Sequence, residues 1–153
     1  MERKYKAFRF AYETKYWLNS LVSFYDKQLQ KQLNTGLLDN IEHEILTSYD
    51  LSGMALTVTL NATTGSIIEL ALKSTQSFTL ADWKKLESEV EIAKNQIQGE
   101  HFPDSTPRVY LSKEALNQIE SIQSLLREDS KRGPIPPYII KLAVYHLYKE
   151  KLG

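Results

Sequence analysis

The chain has 153 residues, 42% of them apolar and 25% charged, and its 19 basic and 19 acidic side chains cancel to a net charge of zero. That fits one soluble globular domain, or two small ones sharing a core. The absence of cysteine excludes disulfides, thiolate metal sites and cysteine nucleophiles and fits a cytoplasmic protein, while no stretch reaches the ~18 apolar residues of a membrane span.

The opening Met1-Glu2-Arg3-Lys4-Tyr5-Lys6 has no apolar run behind it, so it does not read as a secretory signal. Charge is unevenly spread. Residues 1–35 hold seven Lys/Arg against three Asp/Glu, residues 36–103 four against ten, and residues 104–153 eight against six. Two basic ends around an acidic middle describe either solvated faces or ends that meet a polyanion.

Lys6-Ala7-Phe8-Arg9-Phe10-Ala11 has the pattern of a short strand with Phe8 and Phe10 on one face. From Tyr12 to Leu33 the period becomes helical, with Trp17, Leu18, Leu21, Val22, Tyr25 and Leu29 at three- and four-residue steps. Gly36 suits the stop, because glycine accepts the left-handed conformation after a last turn. A second helix is expected over residues 37–48, with Leu38, Ile41 and Ile45 in register.

Leu56-Thr57-Val58-Thr59-Leu60 alternates strictly and Ile68 to Lys73 nearly does, with turn-forming residues 61–65 between, which predicts a β-hairpin. Thr79 with Asp82 three residues later predicts a capping box on a helix reaching about Gln98. Its apolar residues Trp83, Leu86, Val90, Ala93 and Ile97 would cover the hairpin. Residues 99–107, with one glycine and two prolines, read as a linker.

Beyond it, Pro107 to Ser112 alternates, Val109 and Leu111 on one face and Arg108 and Tyr110 on the other. Ser112 can cap a helix whose stripe is Ala115, Leu116, Ile119, Ile122 and Leu126. Pro136-Pro137 suits the first turn of the last helix. That helix is apolar at nearly every angle from Tyr138 to Leu152 and calls for burial on all sides. A second copy of the chain, or the N-terminal region, has to cover it.

Arg108 to Leu116, then Ile119 and Ile122, then Ile139-Ile140 through Ala143 to Leu147-Tyr148-Lys149 resemble the ribbon-helix-helix family of DNA-binding proteins over about 47 residues. The resemblance implies a homodimer whose strands pair into an antiparallel ribbon that enters the major groove. It implies Thr106, Arg108 and Tyr110 facing DNA, and Val109, Leu111, Ile139, Ile140, Ala143 and Leu147 at the dimer interface. The family sets the start of its second helix on a phosphate. Pro136 and Pro137 remove two of those N–H donors, for which Lys131 and Arg132 can substitute as point charges. A fainter strand-helix-helix order over residues 8–48 would, as a second copy, let one chain fold on itself without a dimer. A plain alternative is a single α+β core that the last three elements complete.

His43, His101 and His146 are far apart and have no i, i+4 ligand partner; Glu42-His43-Glu44 lacks the second histidine of a zinc helix. No phosphate-cradling loop, dinucleotide fingerprint or nucleophile elbow occurs, and the nine tyrosines lack the metal-binding histidine pair of strand-transfer chemistry. The expectation is therefore an α+β protein with no catalytic, metal or cofactor site. Residues 1–98 would form an α+β domain of unassigned role, 99–107 a linker and 108–153 the ribbon-helix-helix unit. Its function would be that of a dimeric DNA-binding transcriptional regulator or plasmid accessory protein. The competing reading is an adaptor that binds another protein and no nucleic acid.

Overall fold

A computed structural model describes residues 3–51, 53–55, 62–97, 108–127 and 134–153. It is helix-rich α+β: β1 (Arg3–Ala7), α1 (Tyr12–Asn34), α2 (Leu37–Ser48), α3 (Thr64–Ser74), α4 (Leu80–Lys94), β2 (Arg108–Ser112), α5 (Lys113–Arg127) and α6 (Pro136–Leu152). The chain divides into two compact units. One joins Met1–Leu21 to Thr63–Gly153, and the other is Val22–Ala62. Segments on both sides of the expected linker thus share the first unit, while the linker itself, and the Leu56–Leu60 strand of the expected hairpin, lie outside the described residues.

The second half of that hairpin is a helix instead. Ile68 to Lys73 belongs to α3, opened by a reciprocal box in which Ser66 N–H donates to the Thr63 hydroxyl and Thr63 N–H to the Ser66 hydroxyl, both at 3.1 Å. Ile67, Ile68, Ala71 and Leu72 are buried, a helical face, whereas alternation would have buried Leu70, which is exposed. A run of six cannot separate the two periods on its own; the capped start decides it.

The first strand is also shifted. β1 ends at Ala7, so Phe8 and Phe10 follow it rather than forming its face. Phe10 is buried and Phe8 half-buried, their rings 5.9 Å apart. These aromatics anchor the approach to α1.

α6 is the centre of the first unit. Ile139, Ile140, Leu142, Ala143, Val144 and Leu147 are all buried, and α3, α4 and α5 pack against it. The early turns of α1 add Trp17 on Tyr145 at 4.8 Å and a sheltered Glu13–Lys141 ion pair at 3.3 Å. α4 presents Trp83, Leu86 and Val90 to this core, so it covers α6 and not a hairpin. Its capping box forms as expected, with Thr79 N–H donating to the Asp82 carboxylate at 2.8 Å. The hydrogen bonds from Thr79 hold that carboxyl below its ordinary range.

The second unit is lighter. α2 starts after Gly36, whose φ of 88° is the left-handed value the sequence called for, yet no side chain of α2 is fully buried. Leu38, Ile41 and Ile45 are half-covered only. No helix among the described residues is long and apolar enough to cross a membrane.

Candidate nucleic-acid interface

β1 and β2 form a two-stranded antiparallel ribbon within one chain. Its five pairs run Arg3–Ser112, Lys4–Leu111, Tyr5–Tyr110, Lys6–Val109 and Ala7–Arg108. Opposed residues share a face of the ribbon. Val109 and Leu111 point into the core and are buried; Arg108 and Tyr110 face outward. The alternation expected of β2 is what the structure has.

Two contacts fix the end of β2 to the helices beneath it. Ser112 N–H donates to Glu69 Oε1 of α3 at 2.6 Å, and the Ser112 hydroxyl caps α5 by accepting from Ala115 N–H at 3.2 Å. Gln118 of α5 donates to the Leu72 carbonyl of α3 at 2.5 Å, tying both supporting helices together. Gly65 marks how closely α3 approaches: a Cβ there would lie 2.5 Å from the Tyr110 carbonyl oxygen. Glycine is required at that position because the strand backbone occupies the space a side chain would take.

On the outer face, Tyr5 and Tyr110 stack at a centroid distance of 4.4 Å with their planes 27° apart. They remain 69% and 44% exposed, an unusual state for two touching aromatic rings. Around them the charge is of one sign. Residues 3–12 and 108–113 contain Arg3, Lys4, Lys6, Arg9, Arg108 and Lys113 and no acidic residue. Lys4, Lys6, Arg9, Arg108 and Lys113 are exposed, and among the described residues none is in an ion pair. Acidic groups do approach from the helices: Glu120 of α5 lines a pocket with Lys4, Lys6 and Lys113, and Glu69 of α3 holds the Ser112 amide from below. A zero net charge thus conceals a basic ribbon.

Of the residues expected to face DNA, Arg108 and Tyr110 are together on this surface; Thr106, Lys131 and Arg132 lie outside the described residues. The six expected at a dimer interface, Val109, Leu111, Ile139, Ile140, Ala143 and Leu147, are all buried within the one chain. The cover for α6 comes from α3, α4, α5 and the early turns of α1 in the same chain. β1, with Tyr5, was missed as part of this surface, because Arg3-Lys4-Tyr5-Lys6-Ala7 has no apolar alternation and its partner is far away in sequence. The repeated Arg-x-Tyr was the available signal.

Neither neighbouring helix start offers a ready phosphate clamp. At the start of α3 the Thr63–Ser66 box takes up the Thr63 and Ser66 N–H groups, and α6 begins with two prolines. Phosphate contact falls to side-chain cations.

Elsewhere a groove of about 680 Å³ runs between α5 and the α3–α4 junction, floored by Phe78, Trp83, Ile122 and Leu125. Among the described residues no cluster of His, Asp or Glu could hold a metal ion. Burial, reinforced by Glu87, raises the pKa of the Tyr138 phenol, and burial beside Tyr16 raises that of Tyr148; neither is primed as a phenolate nucleophile. Comparison with protein-family models, curated proteins and solved structures finds no match.

Proposed function

We propose that the β1–β2 ribbon binds double-stranded DNA through the major groove, and that the protein acts as a DNA-binding regulator or mobile-element accessory factor. One observation carries the reading: an exposed aromatic pair at the centre of a ribbon whose charges are all positive. B-DNA's major groove is ~12 Å wide and admits a two-stranded ribbon. Arg108, exposed on the outer face, would meet a base edge, where guanidinium suits guanine O6 and N7. Arg9 and Lys113, together with Lys4 and Lys6 at the edge of the ribbon on its α5 side, are the exposed cations that would meet phosphates. The strand-helix-helix order that resembles the ribbon-helix-helix family supports the same reading, with both strands supplied by one chain.

The test is fluorescence anisotropy of the purified chain on a labelled mixed-sequence duplex, with salt titrated upward. Each phosphate neutralised contributes about −0.9 to the slope of log K against log salt, so four flanking cations give a slope of about −4. Flat anisotropy at low salt overturns the proposal. It would favour the adaptor reading, in which the groove beside Phe78 and Trp83 takes a protein partner.

A further inference from the structure

The face of the ribbon turned away from the tyrosine pair carries charges that the core does not explain. Lys4 opposes Leu111 and Lys6 opposes Val109. Opposed residues of an antiparallel pair share a face, so both lysines stand on the side that β2 turns to the core. Val109 and Leu111 are buried there, while Lys4 and Lys6 are exposed at the edge. Lysines at such positions keep an edge strand from pairing further, and that role needs no other group beside them. Here they have company.

Lys4 and Lys6 line a pocket of about 370 Å³ together with Lys113, the first residue of α5. Its apolar wall is Phe8, Leu116 and Pro136, all half-buried. Gln123 closes the rim, held by a hydrogen bond from its Nε2 to the Pro134 carbonyl at 2.9 Å, which ties α5 to the approach to α6. Among the described residues Glu120 is the one acidic side chain in the lining, and neither it nor any of the three lysines is in an ion pair. Three ammonium groups less one carboxylate leave an excess of two positive charges, unneutralised, beside an apolar wall. A concavity of this kind suits a small molecule more than a strand of polymer.

We propose that this pocket binds a small phosphate monoester with an apolar body, the phosphate among Lys4, Lys6 and Lys113 and the body against Phe8, Leu116 and Pro136. A phosphate monoester carries about −1.5 to −2 at pH 7, which matches the excess, and lysine serves phosphate as a point charge. A simple carboxylate would leave one positive charge over. A phosphodiester of a nucleic-acid backbone carries a single charge and brings no apolar body to the wall. The site engages lysines that the DNA reading also uses, but it does not rest on that reading.

The test is an amide NMR titration of the purified full chain with phenyl phosphate, and separately with inorganic phosphate and benzyl alcohol, the two halves of that probe. Phenyl phosphate should give saturable shifts confined to β1 and α5 and the start of α6. It should bind roughly tenfold more tightly than inorganic phosphate, the worth of burying part of one ring. Benzyl alcohol should leave those amides in place. Lys4→Gln, Lys6→Gln and Lys113→Gln, all at exposed positions, should each weaken phenyl phosphate about two- to fivefold. Glu120→Gln should tighten it by a similar factor, an effect that a merely structural role for Glu120 would not produce. Lys85→Gln, on α4 and outside the pocket, should change nothing. Shifts spread over the whole surface, equal binding of phenyl and inorganic phosphate, or a Lys85→Gln as damaging as Lys6→Gln overturns the inference. So does unchanged binding in the three pocket-lysine variants, or no saturable shift up to tens of millimolar. Each of these leaves the DNA reading to its own test on duplex, and loss of duplex binding leaves the pocket standing.

Discussion

β1 and β2 lie side by side in one ribbon but are held by different means. β2 is anchored: Val109 and Leu111 are buried, Glu69 grips its last amide, and α5 begins at the next residue. β1 is carried. The side chains of Lys4, Tyr5, Lys6 and Ala7 are all exposed, and the strand keeps its place through its backbone ladder with β2 and the tyrosine stack. The difference teaches that an exposed surface can be built on both strands when only one contributes to the core. The carried strand is then free to be almost wholly cationic.

The largest effect should come from the anchored strand. Leu111→Ala is expected to cost about 2–5 kcal/mol of stability, read from denaturant unfolding. If it costs no more than a surface change, β2 is not the anchor. Next, Gly65→Ala forces α3 and the Tyr110 backbone apart and should cost about 1–3 kcal/mol, with the ribbon disturbed before the α6 core. Hydrogen exchange would show it as faster opening of β1 and β2 amides against unchanged α6. A comparable figure of ~1–3 kcal/mol is expected for Arg108→Ala, but in DNA affinity and not in stability, which sharpens the contrast between what β2 buries and what it presents. Smallest of all, Lys4→Ala and Lys6→Ala should leave stability within ~0.5 kcal/mol while each lowers the salt slope of DNA binding by about 1. Substantial unfolding in either variant would mean that β1 is anchored too.

Much of this was legible beforehand, and the reasons are local. α1, α2, α4, β2, α5 and α6 were marked by periodicity and by punctuation such as Gly36, the Thr79–Asp82 box, Ser112 and Pro136-Pro137. The errors fell where local signals run out. In α3, Ile68, Leu70 and Leu72 fit a strand as well as a helix, and Ser66 in the box was less visible than a Glu or Gln. In β1 the pattern is set by a partner more than a hundred residues away, so no window around Tyr5 contains it. The requirement that α6 be buried on all sides was readable; which of the two covers, a second copy or the N-terminal region, would do it was not, since tertiary neighbours leave no mark on a helix's periodicity.

The long reach between the two strands has a consequence for how the surface comes into being. Tyr5 leaves the ribosome about 105 residues before Tyr110, which at ~5–20 residues per second is a wait of roughly 5–20 s. During that interval β1 is an unpaired edge, the kind of segment that recruits wrong partners, and its alternating lysines are a standard safeguard against that. The lysines of β1 thus keep the strand solitary until its partner is made. A chain cut short before Arg108 would have no ribbon at all.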